Sequence, residues 1–202
     1  MAKQSWLDYL EATWLYQTLR NRMNRGLVKF FRDTVFAGQQ GLRVAEVACG
    51  SGYAAHLIAQ EPSVALSLAA DLNLDDYRQA KIKDYRAFFV LMDLFYPALH
   101  PGSMDLVWNS SSIEEISQPE RAVKAMARLV KSGGRIFVGV PNSCGLAGLM
   151  HLIPSRNARA WLGKTYNRAG LRRLVESAGL QLERETSYLF GIFIGALAQK
   201  NN

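Results

Sequence analysis

Cysteine is nearly absent from this 202-residue chain, with Cys49 and Cys144 the only two. That excludes a disulfide framework and a structural zinc site, and fits a reducing compartment. No apolar run reaches the ~18 residues a bilayer-spanning helix needs; the longest, Tyr188 to Ala198, falls well short. The opening stretch MAKQSWLDYLEATW carries acids and aromatics where a secretory signal has its apolar core, so a cytoplasmic location is expected. Internal repeats, low-complexity tracts and His/Asp/Glu clusters with metal-ligand spacing are also lacking, and no metal is expected.

Acids are in the minority, 17 against 24 Lys and Arg, for a net charge of +7. Such an excess attracts polyanions. The basic residues Arg156, Arg159, Lys164, Arg168, Arg172 and Arg173 nevertheless lack the interleaved aromatics of a strand-binding groove, so no specific nucleic-acid partner is expected. A solvated basic surface, with room for peripheral membrane contact, is the reading adopted. A monomer and a homodimer are equally compatible with it.

What remains is an ordinary globular composition, 49% hydrophobic and 20% charged, enough to build the core of one α/β domain. Apolar periodicity alternates along it. An aromatic-rich region at 1–38 has Trp6, Leu7, Leu10, Trp14 and Leu15 at helical spacing and is expected to form a helical cap. From Leu42 strand-like and helix-like segments alternate: LRVAEVA, SGYAAHLIAQ, VALSLAADLN, DDYRQAKIKD, AFFVLMD and MDLVWN, then a helix from about Pro119 to Val130 and the strand RIFVGVP. KSGG between the last two is expected to end the helix in a left-handed glycine cap. Strands alternating with helices predict a doubly wound, mostly parallel sheet. After a helix in NRAGLRRLVESAG, the runs GLQLERETSYLF and GIFIGALAQ predict an antiparallel hairpin that brings the strands to seven.

The stretch EVACGSGYAA, residues 46–55, admits two cofactors. From Gly50 it reads G-x-G-x-x-A, a variant of the dinucleotide fingerprint. A dinucleotide would lay its pyrophosphate on this turn and on the helix N-terminus that follows. Glu46, just upstream, opposes that charge but attracts the ammonium and sulfonium of S-adenosylmethionine. Asp71 follows at the distance where an acid reaches ribose hydroxyls, with Leu72 beside it for an adenine face, and Asp93 can accept from the adenine amine. Three readings are carried: a methyltransferase, an NAD(P)-dependent oxidoreductase using GSGYAA, and a non-catalytic nucleoside-binding relative.

EVACGSG, AADLN, LMDLFYPAL, MDLVWNSSSIEEI and RAVKAMARLVKSGGRIFVGVPN, in that order from Leu42 to Val140, resemble the class I S-adenosylmethionine-dependent methyltransferases, in particular the small type-11 group that includes quinone-biosynthesis enzymes. The resemblance implies that the cofactor loop Glu46, Ala48, Cys49, Gly50 and Gly52 holds the methionine end. It likewise implies Asp71 and Leu72 at the ribose and adenine, Asp93 and Leu94 at the adenine, and Asn109 beside the sulfonium, with S-adenosylhomocysteine as product. Two positions depart from the pattern. Ala48 replaces the usual first glycine, tolerable only with negative φ, and Glu114-Glu115 stand where many relatives have a histidine.

The whole chain, 1–202, is thus read as one methyltransferase domain: a cap at 1–38, a cofactor core at 42–142, a lid insertion at 143–166, and a helix with the C-terminal hairpin at 167–202. The insertion exceeds the ~2 to 6 residues such a connection needs. With Leu146, Leu149, Met150, Leu152, Ile153 and Trp161 it suggests an apolar helical lid over a small lipophilic or aromatic acceptor. His151 within it is the candidate for proton transfer. His56 and the tryptophans Trp14, Trp108 and Trp161 are read as packing residues.

Overall fold

The computed structural model describes residues 14–80, 82–145, 147–148 and 164–201. In chain order they form α1 (Trp14–Phe31), a π-helical turn (Arg32–Phe36), β1 (Leu42–Val47), α2 (Tyr53–Ile58), β2 (Val64–Asp71), α3 (Asp75–Ala80), β3 (Phe88–Leu91), β4 (Met104–Ser110), α4 (Pro119–Leu129), β5 (Val130–Pro141), α5 (Arg168–Glu176), β6 (Leu180–Tyr188) and β7 (Phe193–Lys200). His151, Trp161 and most of the expected lid lie outside the described residues.

The strands make one seven-stranded sheet in the order β3-β2-β1-β4-β5-β7-β6. β1 to β5 pair in parallel, while β7 is antiparallel to both β5 and β6. This is the α/β, mostly parallel architecture that the alternating periods predict, with the C-terminal hairpin added as expected. Strand order reverses between β1 and β4, the point where open sheets of this kind bind ligands beyond the strands' carboxyl ends.

Each face of the sheet has its own core. On one, Ala122, Val123, Met126 and Leu129 of α4 and Leu171, Leu174 and Val175 of α5 pack on Val107, Ile136 and Val138. On the other, Met23, Leu27 and Phe31 repeat every four residues along α1, one face of a helix. Phe31 meets Phe137 edge-on at 5.1 Å and Trp108 at 5.3 Å. Edge-to-face rings add ~0.5 to 1.5 kcal/mol each beyond the area they bury.

The expected glycine cap at KSGG does not form. Val130 follows α4 in extended conformation (φ −82°, ψ 136°) and is already paired with Met104. Gly133, at φ +73°, absorbs the bulge that follows, after which Leu106 pairs with Arg135. A fully buried β-branched residue belongs in the sheet, and the job of the cap passes elsewhere. Lys200, at the end of β7, donates from Nζ to the carbonyls of Ala127 (2.9 Å) and Val130 (2.8 Å) where α4 runs out.

Candidate active site

β1 leads into a turn in which Ala48, Gly50 and Gly52 all have positive φ, +51°, +54° and +66°. Gly52 has no alternative there, since a Cβ would press into the Tyr85 hydroxyl and stand 3.0 Å from the Ala69 Cβ. Ala48 does not have the negative φ that its methyl group calls for. An L-residue held left-handed costs ~1 to 2 kcal/mol, so the turn stores strain beside the crevice. Surrounding bonds pin it. Gly50 N–H donates to Asp71 Oδ2 at 2.7 Å, Cys49 N–H to Ala70 O at 3.2 Å, and Ser112 Oγ to Ala48 O at 3.2 Å.

Glu46 pairs in register with Trp108 across β1 and β4, so the two side chains share the face that α1 covers. Its Oε2 accepts from the backbone N–H of Ala55, in the first turn of α2, at 2.9 Å. Burial pushes this carboxyl up to about 8, although the Ala55 bond and the nearby Arg20 charge pull it down. The protein's own carboxylate thus occupies a helix amide that a pyrophosphate would seek, and a doubly negative group would stand beside Glu46 and Asp71. A cation there would instead restore the charge that burial suppresses.

Asp71 ends β2 with both oxygens engaged, Oδ2 with Gly50 and Oδ1 with Asn73 N–H at 3.1 Å. A carboxylate has about four lone-pair sites, so each oxygen can still accept a ribose hydroxyl. Leu72 is exposed at 68%, a large apolar side chain left beside that acid. Asp93 Oδ1 accepts from Phe95 N–H at 2.8 Å, and Leu94 is buried in the core under α4. Asn109 is buried and committed at both ends: Nδ2 donates to Val47 O at 2.6 Å, and Oδ1 accepts from Ile113 N–H at 3.2 Å. It ties β1 to the loop after β4. Cys49 is buried, and burial drives its thiol far above the range in which thiolate forms. His56 stacks on Tyr85 at 5.6 Å and accepts from Arg86 N–H at 3.2 Å, with burial lowering its pKa; these contacts make it a packing residue.

A cavity of about 370 Å³ opens at the ends of β1 and β4, within the range of small-molecule sites. Glu46, Ala48 and Cys49 form part of its wall, Met23 and Arg20 of α1 another, and Leu189 and Phe193 around the β6–β7 turn a third. Trp108, Ser111 and Glu114 also line it, and each keeps a buried polar atom without a hydrogen-bond partner among the described residues: Nε1, Oγ and Oε2. Unpaired buried groups cost ~1 to 3 kcal/mol apiece. Burial pushes the Glu114 carboxyl up to about 8. Ser110 Oγ, on the same wall, lies 2.7 Å from the Tyr188 hydroxyl. A shallower hollow of about 510 Å³ outside α4, against Phe95, Arg121 and Lys124, has mostly charged walls and lies off the strand ends.

Of the residues expected from the sequence, Glu46, Ala48 and Cys49 line this cavity, whereas Gly50, Gly52, Asp71, Leu72, Asp93, Leu94 and Asn109 are not part of its wall; Trp108, Ser111 and Glu114, which line it, are not among the expected site residues. The acidic doublet after SSS was the one available signal. Among the described residues no three His, Cys, Asp or Glu side chains are grouped to hold a metal ion, and no helix is long and apolar enough to cross a membrane.

Residues 45–138 match the family model described as a methyltransferase domain. Over 122 residues the chain is 30% identical to the ubiquinone biosynthesis O-methyltransferase of Klebsiella pneumoniae (strain 342), covering 57% of this chain and 49% of that protein. Its counterpart from Thiobacillus denitrificans is 28% identical over 165 residues, 74% of this chain and 69% of that one. The chain thus spans about half the length of the first relative. The magnesium protoporphyrin IX methyltransferase of Synechocystis PCC 6803, solved with bound S-adenosylhomocysteine, shares the fold: TM-score 0.68 at 17% identity, over 94% of this chain and 89% of that one.

Proposed function

We propose that the chain is a class I S-adenosylmethionine-dependent methyltransferase, as its methyltransferase-domain match and its O-methyltransferase relatives suggest, and that it transfers the methyl group of S-adenosylmethionine to a hydroxyl of a small lipophilic or aromatic acceptor. The observation that carries this reading is the buried carboxyl of Glu46 on the cavity wall, raised toward neutrality and already holding the Ala55 amide. Such a site gains its charge when an ammonium enters, and it leaves a pyrophosphate without the Ala55 amide. The oxygen acceptor is suggested by the O-methyltransferase relatives, and its apolar character by Met23, Leu189, Ile192 and Phe193 in the same cavity.

When bound, S-adenosylmethionine supplies a methyl carbon on a positively charged sulfur. Glu46 would hold the ammonium, and the backbone of Ala48, Cys49 and Gly50 would receive the rest of the methionine end. Asp71 would accept from the ribose hydroxyls, and Leu72 and Asp93 would frame the adenine, with Leu94 acting from the core behind them. Asn109 acts at one remove, fixing the loop after β4 against β1. The apolar wall would exclude water and confine the acceptor, the condition for a near-attack arrangement of ~3 to 3.5 Å. His151 stays a candidate for the acceptor side.

Thermal stabilisation by S-adenosylmethionine, S-adenosylhomocysteine, NAD and NADP, measured side by side, tests the reading. A ligand at ~100 times its dissociation constant adds about 2.7 kcal/mol. The two sulfur ligands are expected to raise the melting temperature and the two dinucleotides to leave it unchanged. A response to NAD with none to S-adenosylhomocysteine overturns the proposal in favour of an oxidoreductase.

A further inference from the structure

The cavity contains a second buried carboxyl, which the cofactor contacts do not use. Glu114 lies in a single 3₁₀ turn, Ile113–Glu115, that follows β4 where the strand order reverses. The residue is 8% exposed and lines the cavity, and its Oε2 is sealed from solvent with no hydrogen-bond partner among the described residues. An acid in that state in a native site calls for a partner that a ligand or a reaction brings. Two neighbours on the same wall, Trp108 Nε1 and Ser111 Oγ, are unpartnered in the same way. All three residues line the cavity, and a few polar groups in a largely apolar wall are what orients a small molecule.

We propose that Glu114 is the catalytic base of this site, accepting the proton of the acceptor's hydroxyl as the methyl group arrives. The proposal rests on the methyl-transfer reading above. The acceptor oxygen uses a lone pair to form the new C–O bond, and the electron pair of the broken C–S bond stays on sulfur. The hydroxyl proton passes to the Glu114 carboxylate and from there to water. The acceptor leaves as a methyl ether, and one proton is released per turnover.

The chemistry of the pocket suits this role. A phenol loses its proton near pH ~10 and an ordinary carboxyl near ~4.3, a poor match for transfer in water. Burial brings the Glu114 carboxyl up to about 8, and the adjacent Glu115 adds to the effect. Tyr188 of β6 and Tyr166 before α5 each feel the Glu114 charge, and Tyr166 also feels Glu120. Both hydroxyls are pushed up by burial and stay protonated, so they do not compete for the proton. Arg20 and Glu46 complete the charged groups of the cavity wall.

The test compares wild type with Glu114→Gln on two acceptors, 2-naphthol and 4-nitrophenol; the latter is largely ionised at pH 8 and needs no base. S-Adenosylhomocysteine binding, read by calorimetry, is expected to stay within about threefold. Turnover of 2-naphthol should fall by ~10² to 10⁴ and lose its rise with pH around 8, while turnover of 4-nitrophenol changes little. Independently of turnover, binding of 2-naphthol to the S-adenosylhomocysteine complex, followed by its fluorescence, should strengthen with pH in wild type and not in the variant. Glu114→Asp, which keeps the carboxyl, should keep the pH dependence at reduced rate even if the glutamine variant folds poorly. Equal losses on both acceptors, a persisting pH rise in Glu114→Gln, or failure of wild type to bind or turn over either phenol overturns the assignment. Failure of wild type to bind S-adenosylhomocysteine instead overturns the methyl-transfer reading beneath it.

Discussion

Glu46 ties cofactor affinity to pH in a way that can be calculated. Its carboxyl is raised from an ordinary 4.5 to about 8, chiefly by burial, so the ligand-free protein holds a proton there through neutral pH. An ammonium bound beside it favours the carboxylate, and the proton must leave as the ligand enters. Each pH unit well below about 8 then costs up to ~1.4 kcal/mol, a factor of ten in affinity, which comes to roughly fiftyfold between pH 8 and pH 6 because the group is half ionised at pH 8. Calorimetry with S-adenosylhomocysteine at pH 6, 7 and 8, in buffers of different ionisation enthalpy, reads both the affinity and the proton released. Glu46→Gln should weaken binding at pH 8 by ~1.5 to 3 kcal/mol, the worth of a hydrogen bond to a charged group, and should flatten the pH dependence. The sign for stability is opposite. The unfolded chain loses this proton near 4.5 and the folded one near 8, so the ligand-free protein becomes less stable as pH rises across that window, and the glutamine variant loses Glu46's share of the slope. Affinity that stays level from pH 6 to 8 in wild type, or keeps its slope in the variant, refutes the reasoning.

Two further outcomes follow from the turn. Ala48→Gly relieves the left-handed alanine, offset in part by the greater freedom of glycine in the unfolded chain, and should stabilise by up to ~1 kcal/mol, a rise of about 2 to 4 °C in melting temperature; a lower melting temperature would show that the methyl group packs usefully. Gly52→Ala meets both an unfavourable φ of +66° and the Tyr85 hydroxyl, and should destabilise by ~1 to 3 kcal/mol. Adding Tyr85→Phe should recover part of that loss in urea unfolding, and no recovery would trace the whole cost to the backbone.

The sheet was legible because its signal is periodic. LRVAEV reads as a buried strand because apolar residues fall on both faces of β1, and the polar alternation of LQLERETSY is that of an edge strand. KSGG misled because cap chemistry is judged locally, whereas Lys200, which serves the end of α4, arrives from 70 residues away. The acids Glu46, Asp71 and Asp93 stood out since they stand at strand ends. Glu114 did not: an acidic doublet in a serine-rich loop looks solvated until its burial is seen. The backbone at Ala48 is similarly invisible in the residue name. Its angle is imposed by bonds from Asp71, Ala70 and Ser112, none of them its neighbours in sequence.

The position of β7 has a consequence for how the protein is made. It follows β6 in sequence yet lies between β5 and β6 in the sheet, pairing with β5 from Arg135↔Gln199 to Pro141↔Phe193. During synthesis, five parallel strands can assemble while the apolar edge of β5 stays open, a template for unwanted pairing with other chains. Only when residues 193–200 have left the ribosome can that edge close, with the charged strand β6 placed outermost. Newly made chains should therefore depend on chaperones over this interval, and slowed translation between β5 and residues 193–200 should aggregate the protein without altering any residue of its active site.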